Sequence, residues 1–260
     1  MTTTDMSDPK KMITTDAVVI SRREAGDSGF YLTVLSPDMG LLDVTVRGAK
    51  KYGASNSAAS QLFSCSRLCL SQSKGRYYIN SSEPVRSFYG LRLDIQKLAL
   101  ASYFAQIVSH TVTENQTAND VYRLFTNSLY MLSERSAPCG FVKFVFEMRI
   151  CADLGLMPGL IGCADCYRTE PKMYFLIKEG ILLCPKDAHI RVVYDSPDNV
   201  MLTAGMIEAL RHVCLSEMEK IFSFRVSDEA LVRLGDVSER YICYHMGRHF
   251  DTLDFYRSLQ

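Results

Sequence analysis

Three cysteines in the stretch "GCADCYRTEPKMYFLIKEGILLCPKDAH", residues 162–189, have the spacing of metal ligands. Cys163-x2-Cys166 forms a tight knuckle that can present two thiolates to one ion. "MYFLIKEGILLC" reads as a strand, a turn at Lys178, Glu179 and Gly180, and a second strand delivering Cys184. That layout is a zinc ribbon. Tetrahedral zinc takes four ligands, and a structural site keeps no position open. Two side chains offer the fourth ligand: His189 at Cys-x4-His spacing and Asp187 at Cys-x2-Asp spacing. Imidazole is the commoner partner of three thiolates and the softer ligand, so the expected set is Cys163, Cys166, Cys184 and His189. The competing reading is a hairpin that folds without metal, its strands packing on helices through Tyr174 and Phe175.

Catalytic uses of the same cysteines fit less well. A zinc deaminase needs a His-x-Glu segment upstream of Pro-Cys-x-x-Cys, and Cys163 follows "LIG" with no such partner. A thioredoxin-like pair opens a helix after a strand, whereas this pair follows a helix and a Pro-Gly stop. The chain has no Gly-rich loop leading to Lys-Ser/Thr and no Gly-x-Ser-x-Gly. His245 and His249 stand one helical turn apart but beside Arg240 and Arg248, and read as a basic face. The expectation is a protein that is not an enzyme.

Two kinds of element must position these residues. Residues 17–82 are short, β-rich and punctuated: "AVVISRR", "FYLTVLS", "LLDVTVRG", "RLCLSQS" and "YYINSS" make five strands. Pro37, Asp38 and Gly40 stand where a tight hairpin wants them, and Leu42, Val44 and Val46 alternate with Asp43, Thr45 and Arg47. A sheet this small is best covered by closing on itself, which predicts an OB-type barrel over 1–84. After Pro84 the apolar period becomes helical: Leu91 to Ile107, Val121 to Leu132, Phe141 to Met148, then helices from Thr203 and from Ser227. The fold class is therefore α+β: an OB-type β-barrel, then a helical domain over 85–260 carrying the cysteine hairpin as an insert at about 158–195.

Composition sets limits on partners. With 47% hydrophobic and 22% charged residues the 260-residue chain can bury a core. Its apolar runs are too short to span a membrane, and "MTTTDMSDPKKM" lacks the apolar segment of a secretion signal, so it is expected inside the cell. Nine cysteines then belong to a reducing compartment, and Cys65, Cys69, Cys139, Cys151, Cys214 and Cys243, isolated among apolar neighbours, read as core thiols. Net charge is zero, which removes any global attraction to nucleic acid. Locally it is different: residues 17–86 hold nine Lys and Arg against five acids. A barrel face with Tyr77, Tyr78 and Phe30 can stack bases while those cations follow phosphates, although alternation puts only one of Tyr77 and Tyr78 outside.

Three stretches carry a family resemblance. "AVVISRREAGDSGFYLTVLSPDMGLLDVTVRGAKK", "RICADLGLMPGLIGCADC" and, most specifically, "YHMGRHFDTLDF" resemble the opening barrel, helix end with cysteine pair, and last helix of the RecO family of recombination mediators. Two departures stand out: the family's second Cys-x-x-Cys is here Cys184-Pro-Lys-Asp187, and its Arg-rich loop is "YGASNSAAS". The resemblance implies a cytoplasmic, nucleoid-associated bacterial protein of DNA repair and homologous recombination. It implies binding to single- and double-stranded DNA, strand annealing, capture of the C-terminal tail of single-strand-binding protein (SSB), and loading of RecA together with RecR. DNA contact then falls to Arg22, Arg23, Arg47, Lys50, Lys51, Lys74 and Arg76. A cationic rim for the SSB tail would come from Arg123, Arg135, Lys143 and Arg149. The reading from another class is a protein–protein scaffold of a repair or transcription complex that does not bind DNA.

Overall fold

The computed structural model describes residues 12–25, 29–47, 56–73, 75–194 and 196–260. The chain forms two compact units, Met1–Asp94 with Phe104–Ser133, and Ile95–Tyr103 with Glu134–Gln260.

In the first unit five strands close into a barrel: β1 (Met12–Ala25), β2 (Gly29–Ser36), β3 (Gly40–Val46), β4 (Ser64–Ser73) and β5 (Arg76–Ser87), in the order β1-β2-β3-β5-β4. β1 closes the barrel by pairing twice, its first half with β4 and its second with β2. A register shift between Val19 and Ser21 lets this long strand bend between its two partners. Only β3 and β5 run parallel, matched at Val44 with Tyr77 and Thr45 with Tyr78. The alternation in the sequence is the alternation of the wall: Phe30, Leu32, Val34, Leu42, Val44, Val46, Leu68 and Leu70 fill the interior. The β2–β3 turn is tied by Ser36, whose hydroxyl accepts from the backbone N–H of Asp38 and Met39 at 3.3 and 3.2 Å. Gly40 follows at φ +70°, and a Cβ there would stand 2.1 Å from the Thr113 carbonyl oxygen, so only glycine fits.

α1 (Ile95–Thr111) begins later than the apolar spacing predicts, because Leu91 lies in a separate 3₁₀ turn over Tyr89–Leu93 that ends in an extended Asp94. α2 (Asn119–Ser133) buries Val121, Leu124, Phe125, Leu129 and Leu132, the stripe its sequence carries. The second unit is built on α3 (Cys139–Asp153), most of whose residues are buried. A four-stranded sheet has the order β6-β8-β7-β9, with β6 (Gly159–Cys163), β7 (Lys172–Leu176), β8 (Ile181–Leu183) and β9 (Asn199–Thr203). β7 and β8 are the expected hairpin, turning at Gly180 with φ +66°. β6 and β9 extend it into a sheet. α4 (Pro185–Ile190) follows β8, then α5 (Ala204–Leu215), α6 (Asp228–His245) and α7 (Asp251–Arg257). Thr203 and Ser227 cap α5 and α6 with their hydroxyls, as N-cap residues do. Among the described residues no helix is long and apolar enough to cross a membrane.

Candidate nucleic-acid interface and metal centre

The outer wall of the barrel carries a row of side chains set by strand register. Because Phe30, Leu32 and Val34 face the core, Tyr31 and Thr33 of β2 must face out. Register then places Arg23 of β1 beside Tyr31, Tyr31 beside Thr45 of β3, and Thr45 beside Tyr78 of β5. Tyr31 is 49% exposed. Arg47 extends from the end of β3 with its guanidinium 4.8 Å from the centre of the Tyr78 ring. Arg76 flanks Tyr78 on the same side of β5, and a shallow depression runs along Tyr31, Thr45, Arg47, Arg76 and Tyr78. Two rings and three guanidinium groups thus share one surface.

Ion pairing separates those arginines from six others of the molecule. Arg67, Arg149, Arg191, Arg211, Arg240 and Arg257 each hold an acidic partner. Among the described residues Arg23, Arg47 and Arg76 form no ion pair. A guanidinium left without a carboxylate is available to a phosphate.

Of the seven expected DNA-contact residues, the structure brings these three together. Arg22 is exposed but lies opposite Leu32 in register, on the other side of β1 from Arg23, its guanidinium 3.7 Å from the centre of the Phe30 ring. Lys50, Lys51 and Lys74 lie outside the described residues. Of the aromatics, Phe30 and Tyr77 belong to the core, and Tyr78 is the outward member of its pair. Tyr31 was not among the expected residues; the parity of "FYLTV" marks it. The expected cationic rim of the helical body does not form as such. Lys143 is buried between Glu147 at 2.9 Å and Glu239 at 2.8 Å, and Arg149 pairs with Asp153 at 2.8 Å.

The cysteine cluster assembles from three elements. Cys163 ends β6, Cys166 sits in the turn that follows, and Cys184 comes directly after β8 as the N-cap of α4. Pro185 at the first helical position starts the helix, which puts Asp187 in its first turn, over the cap. The Asp187 Oδ2 atom accepts from Cys163 Sγ at 3.0 Å and from Cys184 Sγ at 3.1 Å, while Cys166 and Cys184 Sγ are 3.8 Å apart. All four ligand atoms lie within 4.8 Å of one another.

Asp187, not His189, therefore completes the set. Ligand preference alone favours His189, but residues 185–190 form a helix. In a helix the two residues differ by about 200° around the axis. His189 is exposed and stacks on Tyr194, centroids 5.3 Å apart. Hydrogen bonds from the thiols of Cys166, Cys163 and Cys184 hold the Asp187 carboxyl down at about 2. In return, its carboxylate is the main reason that the Cys166 thiol is pushed up to about 12.

The donor set fits zinc. Bonds of about 2.3 Å in a tetrahedron separate sulfur atoms by about 3.8 Å, the Cys166–Cys184 distance seen here. A divalent cation at the centre would reverse the proton balance and take the three sulfurs as thiolates. Arg191 supports the knuckle from outside, its Nε donating to Asp165 at 2.8 Å and its Nη1 to Glu179 at 3.1 Å.

Comparison with known proteins agrees with both halves of this architecture. Residues 10–88 match the family "Recombination protein O N terminal", and residues 92–254 match "Recombination protein O C terminal". The chain is similar to the DNA repair protein RecO of Acetivibrio thermocellus, 32% identical over 247 residues, or 94% of this chain and 96% of that one. It is also similar to the proteins of the same name from Alkaliphilus metalliredigens, 26% identical over 95% of this chain and 100% of that one, and from Caldicellulosiruptor bescii, 24% identical over 96% and 100%.

Proposed function

The chain belongs to the recombination protein O family, and from that premise we propose that it serves DNA repair and homologous recombination by holding DNA on the outer face of its barrel. The observation that supports this reading is the register row from Arg23 through Tyr31 and Thr45 to Tyr78, flanked by Arg47 and Arg76, which form no ion pair among the described residues. Bases stack on aromatic rings whatever their identity, and guanidinium groups follow the backbone. One face thus serves single strands by stacking and duplexes by phosphate contact alone. Holding two complementary strands in this way favours their annealing.

In this role the protein works beside partners: RecR, the C-terminal tail of SSB, and, through them, RecA. It acts in the bacterial cytoplasm, on the nucleoid. It is not a catalyst, and its cysteine cluster is a structural zinc site held by Cys163, Cys166, Cys184 and Asp187. Such an ion closes the knuckle onto β8 and α4 and, with four protein ligands, leaves no position for a reacting water.

The test is a salt series on a labelled single strand. Each phosphate contact contributes about 0.7 to the slope of log affinity against log salt. Replacing Arg23 and Arg76 with alanine should weaken binding and lower the slope by about 1.4 in all. A wild-type affinity indifferent to salt would point instead to a scaffold that does not touch DNA.

A further inference from the structure

Beside the tyrosine row the barrel wall opens into a cavity of about 350 Å³ that includes Arg23, Tyr31, Asp43, Arg76, Tyr77 and Glu114 in its lining. It exists because β3 and β5 pair over only two residues, leaving the first half of β3 without a β5 partner. The loop after α1 meets β3 instead, through a bridge from Glu114 to Gly40 and a hydrogen bond from Leu41 N–H to the Thr113 carbonyl at 3.3 Å. That loop brings a carboxylate to a wall otherwise furnished for DNA. Tyr77 and Glu114 line the cavity together, and burial first, then the Glu114 carboxylate, raise the Tyr77 hydroxyl above its ordinary value. Asp43 is exposed and accepts from the Thr33 hydroxyl at 2.9 Å through Oδ1.

Two carboxylates in a phosphate-binding groove are a paradox if the groove only follows backbone, because they repel it. They make sense if what enters the cavity is a base. A carboxylate is an acceptor only, and pairs best with two adjacent N–H donors. Guanine alone among the bases offers two such donors, N1–H and the 2-amino group, on one edge. Thymine presents a single N–H between two carbonyls, which a carboxylate repels. Arg23 and Arg76 stand at the same cavity for the flanking phosphates, and Tyr31 for the neighbouring base. Pockets of this volume lie at the small end of roughly 300–1,000 Å³, the range of ligand sites, and suit one base rather than a stack.

We propose that this cavity takes one unstacked nucleobase of a bound single strand and favours guanine, whose donor edge pairs with the carboxylates of Asp43 and Glu114. The inference rests on the reading of the barrel as the DNA-binding face and adds base preference to it.

The experiment compares oligothymidylate with the same strand carrying one central guanine, by fluorescence anisotropy with the full-length protein. One good edge contact discriminates by about tenfold, so the guanine strand should bind about five- to tenfold more tightly. Hypoxanthine in place of guanine keeps N1–H but lacks the 2-amino group, and should lose much of that gain. Asp43→Asn and Glu114→Gln should abolish the preference while oligothymidylate binding stays equal or tightens, since each removes a negative charge beside phosphates. Equal affinity for the two strands with a normal salt slope would overturn the guanine pocket and leave the DNA face standing. Absence of salt-dependent binding to either strand would overturn both.

Discussion

At the scale of single residues, the fourth member of the cysteine cluster is decided by a proline. Pro185 begins a helix at the residue after Cys184, and the first turn of that helix carries Asp187 back over the cysteine cap. Ligand frequency and softness favoured His189, but backbone geometry acts before either. Metal content should therefore follow the carboxylate. Protein purified without chelator should carry about one zinc per chain, matching the single four-ligand cluster among the described residues. Asp187→Ala should lose it or release it faster to a chromogenic chelator, and His189→Ala should retain it. Loss in His189→Ala with retention in Asp187→Ala would restore the imidazole. The three cysteines were legible because Cys-x2-Cys and a hairpin cysteine impose their own spacing. The ligand in the helix was not, because a six-residue helix leaves too short a period to read. Tyr31 was legible in principle: in "GFYLTV", once Phe30 and Leu32 are assigned to the core, parity alone places it outside.

Among elements, the barrel and the sheet differ in how openly the sequence declares them. All five barrel strands were legible, because β2 and β3 alternate clearly and the others are runs of strand formers between turn residues. The hairpin β7–β8 was legible for the same reason. β6 and β9 were not: "GLIGC" spends two of its five positions on glycine, and "NVMLT" is short and faintly patterned, so each becomes a strand only by pairing with the hairpin already there. The two structures respond differently to perturbation. On the barrel, Tyr31→Ala and Tyr78→Ala should each weaken single-strand binding by about 1–3 kcal/mol while leaving the salt slope nearly unchanged, since stacking involves no counterion release. Equal loss on duplex, where the bases are not free to stack, would mean that the rings position the backbone instead. In the second sheet, metal removal should act first. One of its strands ends in a cluster cysteine and another is followed directly by one, so chelation should accelerate amide exchange over 159–190 before it affects the barrel strands. Uniform exchange after chelation would deny the metal its structural role.

Over the whole molecule, zero net charge conceals an uneven distribution. The second unit holds some of its cations in local pairs such as Arg149–Asp153 and Arg240–Asp236, whereas on the outer barrel wall Arg23, Arg47 and Arg76 form no ion pair among the described residues. A neutral total is thus compatible with an electropositive face, which composition could not reveal. The deepest neutralisation is a network that ties α1, α3, α6 and α7. Glu147, wholly buried, accepts from Tyr103 at 2.8 Å, Ser238 at 2.6 Å and Lys143, and Lys143 also pairs with Glu239, which Arg257 holds through Nε at 3.1 Å. Its pH behaviour has a definite sign. Burial alone would raise the Glu239 carboxyl, but Lys143 and Arg257 outweigh it and bring it below its ordinary value. A carboxyl lowered on folding stabilises the protein above its unfolded value, about 4.3, and that share is lost as pH falls through the folded one. Glu147 runs the other way, raised chiefly by burial, so its protonation in acid offsets part of the loss. The acid arm of the stability curve should accordingly belong to Glu239 more than to its better-buried neighbour. Glu239→Gln should lower the melting temperature at pH 7 and flatten its fall as pH drops below the ordinary glutamate value of about 4.3, whereas zinc release in acid destabilises both proteins alike. Melting curves followed by circular dichroism across that range decide it: if wild type and variant fall in parallel, the acid sensitivity lies elsewhere in the chain.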